Sequence, residues 1–222
     1  MKAIILDYGG TIDTRGEHWS KVLWKSYQKE QVPVTYEEFQ EAYVFTEKKL
    51  GNDEVIKQTD DFMEVLRTKT DIETQYLIDK NYWHTPELER RAVFEHIALD
   101  AFFYAKEIIN LNAPVLQRLH EHYSIVLVSN FYGNLDTVLR EFHIHEYFDE
   151  VIESAKVGCR KPNTTIFKKA ISYLDLSPEE ILVVGDSEKN DIIPARSLGC
   201  ETFQLREGET LKALDIFLQK CS

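Results

Sequence analysis

The hydrophobic residues of the chain change from strand-like spacing to helical spacing and back again. Near the N-terminus, residues 3–6 form a wholly apolar run that contains β-branched side chains and ends at a carboxylate, Asp7. Such a run is typical of a strand buried on both faces of a parallel sheet. Gly9 and Gly10 follow closely, and glycines let the backbone approach a ligand. We therefore expect Asp7 at the carboxyl edge of a parallel sheet, where such sheets bind ligands.

Helical spacing dominates from residue 14 to about residue 110. The first predicted helix has four apolar residues at this spacing: Trp19, Val22, Leu23 and Tyr27. Thr35 and Thr70, each with a glutamate three residues later, predict two further helix starts through capping boxes. The pair Thr85-Pro86 predicts the start of a long helix. These patterns indicate a bundle of four or five helices.

Short apolar runs return from Pro114 onward. A short helix is expected from Pro114 to about His122. Four strands are then predicted at residues 125–128, 151–152, 181–184 and 202–205, with helical segments between them. Alternating strands and helices of these lengths imply a parallel sheet with helices on both faces.

The sequence therefore predicts an α/β fold, with a Rossmann-like parallel sheet core and an inserted α-helical bundle. We expect residues 1–14 and 112–222 to form the core, and residues 15–111 to form a cap domain.

Composition narrows the function. The chain of 222 residues has a formal net charge of −12, which disfavours binding to nucleic acid or to an anionic membrane, because both require a basic surface. Its three cysteines are an odd number without zinc-site spacing, which favours a reducing compartment. Neither a signal peptide nor a membrane-spanning run is visible, so we expect a cytoplasmic protein.

Candidate chemistry is concentrated in four segments. They are Asp7–Thr11, Val126–Asn130, Arg160–Asn163 and Val183–Asp191. Together, and in this order, they resemble the four motifs of the haloacid dehalogenase-like hydrolase superfamily. The resemblance covers the two core segments, and it reaches the helical insertion only by position. It implies a hydrolase whose mobile cap lies over the sheet edge.

Several acidic residues are expected to meet at that edge. If the first and fourth buried strands are neighbours, Asp7, Asp186 and Asp191 share a small volume, and a hard cation such as Mg²⁺ would offset their repulsion. The resemblance implies that Asp7, the backbone carbonyl of Gly9 and Asp186 bind Mg²⁺, with Asp191 acting through water. Asp186 and Asp191 have an alternative interpretation as caps of the following helix.

The resemblance also implies the catalytic residues. Asp7 is the expected nucleophile, and Ser129 and Lys161 are expected to stabilise the phosphoryl oxygens. Taken singly, Ser129 is also compatible with a turn, Lys161 with a solvated surface residue, and Asp7 before two glycines with ordinary turn chemistry. The predicted substrate-binding residues are Gly10, Thr11, Ser129, Asn130 and Lys161. Arg160 is expected to be surface charge beside the site.

One position departs from the family pattern. Phosphatases of the superfamily usually have a second aspartate two residues after the nucleophile, whereas this chain has Gly9. We predict an Mg²⁺-dependent phosphatase that acts on a small phosphorylated metabolite through an aspartyl phosphate. Without the usual acid and base, turnover should be slow unless a cap residue provides the proton.

Two other interpretations stay open. Dehalogenases and phosphonoacetaldehyde hydrolases lack an acid at this position, and the latter need a cap lysine that forms a Schiff base, for which Lys48 and Lys49 are candidates. Such enzymes would act on another anionic metabolite. The third interpretation is a phosphate-binding protein without catalytic turnover.

Overall fold

A computed structural model describes the backbone of residues 1–221 and the side chains of residues 1–220. Its described strands form a five-stranded parallel sheet in the order β3-β2-β1-β4-β5. The strands are β1 Ala3–Leu6, β2 Ser124–Ser129, β3 Glu150–Glu153, β4 Ile181–Gly185 and β5 Glu201–Gln204. The predicted α/β architecture is therefore confirmed.

Nine helices accompany this sheet within the described residues. Four precede β2: α1 Trp19–Lys29, α2 Tyr36–Asn52, α3 Phe62–Asp79 and α4 Glu87–His120. Five follow β2: α5 Leu135–Glu141, α6 Ser154–Val157, α7 Thr164–Leu174, α8 Ile193–Ser197 and α9 Leu211–Cys221. A π-helical turn, Glu188–Ile192, follows β4. None of the described helices is both long enough and apolar enough to cross a membrane.

Strand β1 lies at the centre of the sheet because both of its faces are apolar. All four of its side chains are fully buried. Ile4 and Leu6 belong to a hydrophobic cluster with residues of α4, α5 and α9, whereas Ala3 and Ile5 pack in a second cluster with residues of α7 and α8. The predicted strand buried on both faces is confirmed, and it places the following residue, Asp7, at the carboxyl edge.

The capping signals in the cap were only partly correct. Thr35 caps α2 in a complete capping box, as predicted. The prediction at Thr70 is wrong, because α3 begins after Asp61, which forms the capping box itself. The apolar first turn of α3, which includes buried Phe62 and Val65, packs into the cap interior. Thr70 therefore lies inside the helix and donates to the carbonyl of Leu66.

A single helix, α4, replaces the two helices predicted around Pro114. Pro114 cannot donate to the carbonyl of Asn110, which normally weakens a helix at that point. The helix nevertheless continues to His120, and Val115 and Leu116 are buried on its core side. The division between residues 15–111 and the rest stays a prediction, and α4 crosses it.

Asn112 ties α4 to both ends of the core. This buried side chain donates from Nδ2 to the carbonyl of Ile12, at 2.9 Å, and accepts at Oδ1 from the backbone N–H of Leu211, at 3.0 Å. The loop after β1 and the start of α9 therefore share one polar contact with α4.

Two of the three cysteines lie within the residues whose side chains are described. Cys159 and Cys200 have free thiols, and the side chain of Cys221 lies outside the described residues.

Glu73 gives a testable consequence of cap packing. It is fully buried, Tyr27 donates to its Oε2 at 3.1 Å, and Oε1 has no partner among the described residues. Burial raises the pKa of Glu73 from 4.5 to about 7, although nearby Lys69 opposes the shift. The folded state therefore binds this proton more tightly than the unfolded state.

We expect the free energy of unfolding to fall as pH rises from about 4.5 to about 7, with a contribution from Glu73 on the order of 3 kcal/mol. In Glu73→Gln this contribution should disappear, so the difference in Tm between pH 5 and pH 8 should shrink. Glu54→Gln, at an exposed glutamate, is the matched control. Equal pH dependence in the wild type and Glu73→Gln would contradict the assignment.

Candidate active site

The centre of the site is an ion pair at the carboxyl edge of the sheet. Asp7 directly follows β1, and its backbone N–H donates to the carbonyl of Val184 in β4 at 2.9 Å. The ammonium of Lys161, in the loop before α7, donates to Asp7 Oδ1 at 2.5 Å and to Asp191 Oδ1 at 2.7 Å. All three charged side chains are buried. The structure thus brings together residues that lie more than 150 positions apart.

A third carboxylate, Asp186, completes the cluster. One oxygen from each of Asp7, Asp186 and Asp191 lies within 4.8 Å of the others. The hydroxyl of Thr11 lies 3.3 Å from Asp7 Oδ2 and 3.4 Å from Asp186 Oδ1, and it accepts the N–H of Asp186 at 3.1 Å. The predicted convergence of these acidic residues is confirmed geometrically.

Burial and mutual repulsion make ionisation of the cluster unfavourable. Burial raises the pKa of Asp7 well above its usual value; Lys161 opposes the shift, and Asp191 and Asp186 add to it. Burial, reinforced by repulsion from Asp191, raises the pKa of Asp186 to about 6. Burial would lower the pKa of Lys161, but Asp191 and Asp7 raise it above its usual value, so its ammonium stays charged. One lysine is not enough to neutralise three carboxylates.

The two glycines after Asp7 have different requirements. Gly10 has φ +93°, and a Cβ on it would lie 2.5 Å from Asp186 Oδ1, so both the backbone and the close carboxylate require glycine. Gly9 does not have a left-handed φ, and its Cβ would make ordinary contact with Trp19 at 3.8 Å. A side chain is therefore sterically possible at position 9.

Ser129 and Asn130 both lie at the end of β2. Ser129 is the last residue of the strand and is buried. The side chain of Asn130 accepts the N–H of Lys161 at 2.8 Å and donates to its carbonyl at 3.1 Å. Asn130 thereby fixes the backbone from which Lys161 reaches Asp7, whereas sequence reasoning assigned it only to substrate binding.

A cavity of about 240 Å³ separates this edge from the cap. Its core side includes Gly9, Asp13, Asn130 and Asn190, which neighbour the acidic cluster and Ser129 in sequence. Its cap side comes from α1, α2 and α3, through Trp19, Tyr43, Glu47, Phe62, Val65, Leu66 and Lys69. The cavity is smaller than most drug-sized sites, which favours a small ligand.

Asp13 is a buried acid on the cavity surface. Its Oδ1 accepts the N–H of Gly10 at 2.8 Å, and its Oδ2 accepts the indole N–H of Trp19 at 2.9 Å. Burial raises its pKa to about 7 despite these hydrogen bonds. The spacing of Trp19 predicted only a helix position and gave no sign that its polar edge would reach Asp13.

The cap contributes a polar cluster that sequence reasoning missed. Lys69, on α3, forms an ion pair with Glu47, on α2, and its ammonium lies 4.6 Å from the centroid of the Tyr43 ring. Tyr132, from the loop after β2, donates to Glu47 at 3.0–3.1 Å. Lys69 is only 5% exposed, and among the described lysines of the cap it is the one that lines the cavity. A lysine at one position of a helix has no sequence signal that distinguishes it from a solvated one.

Comparison with known proteins adds a family and a set of relatives. Residues 1–199 match the haloacid dehalogenase-like hydrolase family. A glyceraldehyde 3-phosphate phosphatase of Pyrococcus furiosus is 30% identical over 110 residues, which are 49% of this chain and 45% of that protein. The haloacid dehalogenase-like hydrolase domain-containing protein 3 of Xenopus laevis is 34% identical over 79 residues, 36% of this chain and 32% of that protein. The matched segments thus span less than half of these relatives.

Solved structures share the fold along most of the chain. The HAD-hydrolase YfnB of Bacillus subtilis, bound to magnesium, has a TM-score of 0.60 at 16% identity and covers 98% of both chains. A dehalogenase has a TM-score of 0.61 at 17% identity, over 92% of this chain and 84% of the other. Since the family match extends over residues 1–199 and its motif segments meet at one sheet edge, the chain belongs to the haloacid dehalogenase-like hydrolases.

Proposed function

We propose that this hydrolase is a phosphatase that cleaves a small phosphorylated metabolite through an aspartyl phosphate on Asp7. The observation that supports it best is the pairing of Asp7 with the Lys161 ammonium beside two further carboxylates. A buried cation next to a carboxylate suits a dianionic phosphoryl group better than a neutral one. The relatives named as glyceraldehyde 3-phosphate phosphatases point to the same class of bond.

The residues would divide the reaction into two displacements at phosphorus. An Asp7 oxygen forms a bond to phosphorus while the bond to the leaving oxygen breaks, and the leaving oxygen takes a proton. A water oxygen then bonds to phosphorus, the bond to Asp7 breaks, and inorganic phosphate is released. Lys161 donates to the phosphoryl oxygens in both steps, and Ser129 is the proposed further donor. The backbone N–H groups of Gly10 and Thr11 already donate to Asp13 and to the carbonyl of Tyr8.

The acidic cluster fits Mg²⁺. Its oxygens are closely spaced, and burial, reinforced by repulsion between the carboxylates, raises the pKa values of Asp7 and Asp186. A divalent cation would offset both effects. Asp7, Asp186 and the carbonyl of Gly9 are the proposed ligands. Asp191 already accepts from Lys161 and from the N–H of Ser187, so its proposed role is indirect. When bound, the ion would keep Asp7 ionised and withdraw charge from the phosphoryl oxygens.

Asp13 is the proposed source of the proton that Gly9 cannot give. Among the described residues, two carboxyl groups line the cavity, Asp13 and Glu47. Burial opposes ionisation of Glu47, but Lys69 and Tyr132 outweigh it and lower its pKa. Asp13, with a pKa near 7, can exchange a proton at neutral pH.

The structure disfavours a Schiff-base enzyme. Lys48 and Lys49 are exposed on α2. Burial would lower the pKa of Lys69, but Glu47 raises it well above its usual value. A lysine that attacks a carbonyl must be unprotonated, so Lys69 does not suit that role. The dehalogenase neighbours share the fold at low identity, and their chemistry is not thereby transferred.

Asp7→Asn should reduce turnover of phosphate esters by about 10⁴-fold or more, because an amide cannot act as the nucleophile. Tm should not fall, since the change keeps shape and reduces repulsion within the cluster. Asp175→Asn, at an exposed residue near the opposite edge of the sheet, is the control. Undiminished activity in Asp7→Asn would refute the assignment. Stable phosphorylation of the wild type without turnover would instead support the phosphate-binding interpretation.

Mg²⁺ at about 100 times its Kd should stabilise the protein by about 2.7 kcal/mol, measured as a rise in Tm. The rise should vanish in Asp186→Ala and persist in Asp175→Asn. It should be larger at pH 8 than at pH 5, because protons compete with the cation for Asp186, whose pKa is about 6. A melting curve unaffected by Mg²⁺ at pH 8 would argue against the metal site.

Gly9→Asp should raise turnover of an unactivated alkyl phosphate by at most about 10²- to 10⁴-fold, because a carboxyl group gains access to the leaving oxygen. p-Nitrophenyl phosphate should gain less, since its leaving group needs little protonation. Gly9→Ala is the steric control, and the structure predicts that it is tolerated.

The same variant tests Asp13. Asp13→Asn should slow hydrolysis of the alkyl phosphate more than hydrolysis of the nitrophenyl ester. Adding Gly9→Asp should recover the extra loss of activity with the alkyl phosphate. Equal losses with both esters, without restoration, would show that Asp13 has only a structural role.

A further inference from the structure

Arg160 is an exposed cation at the edge of the catalytic cavity. Its guanidinium makes no hydrogen bond or ion pair with another described residue, although it borders the cavity that contains Gly9 and Asp13. It directly precedes Lys161, whose ammonium contacts Asp7. The positive charge of Arg160 is therefore presented by the same loop that positions the phosphoryl-binding lysine.

Gly51 provides the space for this guanidinium. A Cβ on Gly51 would lie 2.8 Å from Arg160 Nη1. Gly51 lies within α2 and does not have a left-handed φ, so its backbone does not require glycine. The missing side chain leaves Arg160 seated against the end of a cap helix, between core and cap.

Lys69 adds an unused hydrogen-bond donor on the cap side of the cavity. An ammonium has three N–H donors. Within the described residues, one is used by Glu47, and the Tyr43 ring lies on another side of the group. Lys69 is buried and lines the cavity, so a ligand there can accept a hydrogen bond from it.

The charges that line the cavity favour a ligand group with a single negative charge. Glu47 forms an ion pair with Lys69, and Arg160 also contributes to lowering the pKa of Glu47. These two cavity-lining cations and one carboxylate together carry one net positive charge. A carboxylate matches one positive charge and the planar fork of a guanidinium. A second phosphate would bring two negative charges close to Glu47 and Asp13.

We propose that Arg160, assisted by Lys69, binds a carboxylate on the leaving group of the substrate. The enzyme would then prefer small phosphorylated carboxylic acids over neutral phosphate esters of the same size. This inference rests on the proposed phosphatase function, and it identifies the class of substrate.

The test compares 3-phosphoglycerate with sn-glycerol 3-phosphate, which differ only in a carboxylate against a hydroxymethyl group. The wild type should favour the carboxylate in kcat/KM by about 10- to 100-fold, the range expected for a hydrogen bond to a charged group. Arg160→Gln should bring this ratio close to one. Lys48→Gln, which removes a nearby exposed charge that does not line the catalytic cavity, should leave the ratio unchanged.

Binding measurements separate this inference from the phosphatase proposal. Calorimetry would give Kd values of both esters for Asp7→Asn, with and without Arg160→Gln, in the presence of Mg²⁺. If the wild type hydrolyses neither ester but Asp7→Asn binds 3-phosphoglycerate more tightly through Arg160, the phosphatase proposal fails and carboxylate recognition stands. If both esters are hydrolysed at similar rates and Arg160→Gln changes nothing, the inference is overturned while the phosphatase proposal stands. An equal fall in the kcat/KM preference for 3-phosphoglycerate in Arg160→Gln and Lys48→Gln would also overturn it. Such a result would mean that any nearby positive charge favours the carboxylate.

Discussion

Three carboxylates gathered around one ammonium are the constraint on which the site depends. Asp7 and Asp191 both receive a hydrogen bond from Lys161, while Asp186 lies within 4.8 Å of them without a lysine of its own. Burying such charges is costly unless each is paired. The fold therefore positions the ends of β1 and β4 with an excess of negative charge. This excess would favour binding of a divalent cation, and Lys161 offsets part of it through its two ion pairs.

Other residues of the site hold these charged side chains in place through backbone contacts and through the space left by a glycine. Gly10 allows Asp186 to lie against the loop after β1, and Asn130 binds both the N–H and the carbonyl of Lys161. The cap closes the cavity with a pair that is neutral overall, Lys69 and Glu47, to which Tyr132 connects the core. Arg160 adds a positive charge beside that pair and makes no hydrogen bond or ion pair with a described side chain. Catalytic power and substrate choice would thus depend on different residues of one loop.

The core and its acidic edge were predictable from sequence, whereas the contents of the cavity were not. A fully apolar strand followed by Asp7 fixes one edge of a parallel sheet, and four motif segments in order place Ser129, Lys161 and Asp186 near it. Thr35 was recognisable because a capping box is a local interaction. Thr70 has the same local pattern but lies inside α3, because tertiary packing of Phe62 extended the helix. Lys69 and Arg160 gain their significance only from long-range placement, and a single sequence contains no local signal of it.

Helix α4 connects the core, where Asn112 anchors it, to the far end of the cap. From Asn112, anchored to Ile12 and Leu211, to its first residue, Glu87, the helix extends about 38 Å at the ordinary rise per residue. A rotation of about 5° at the anchored end would move the far end by about 3 Å over that length. Pro114, next to the anchor, removes one hydrogen bond where bending costs least. A change in packing beneath α9 would therefore reach the cavity through α3, which packs against α4 and lines the cavity.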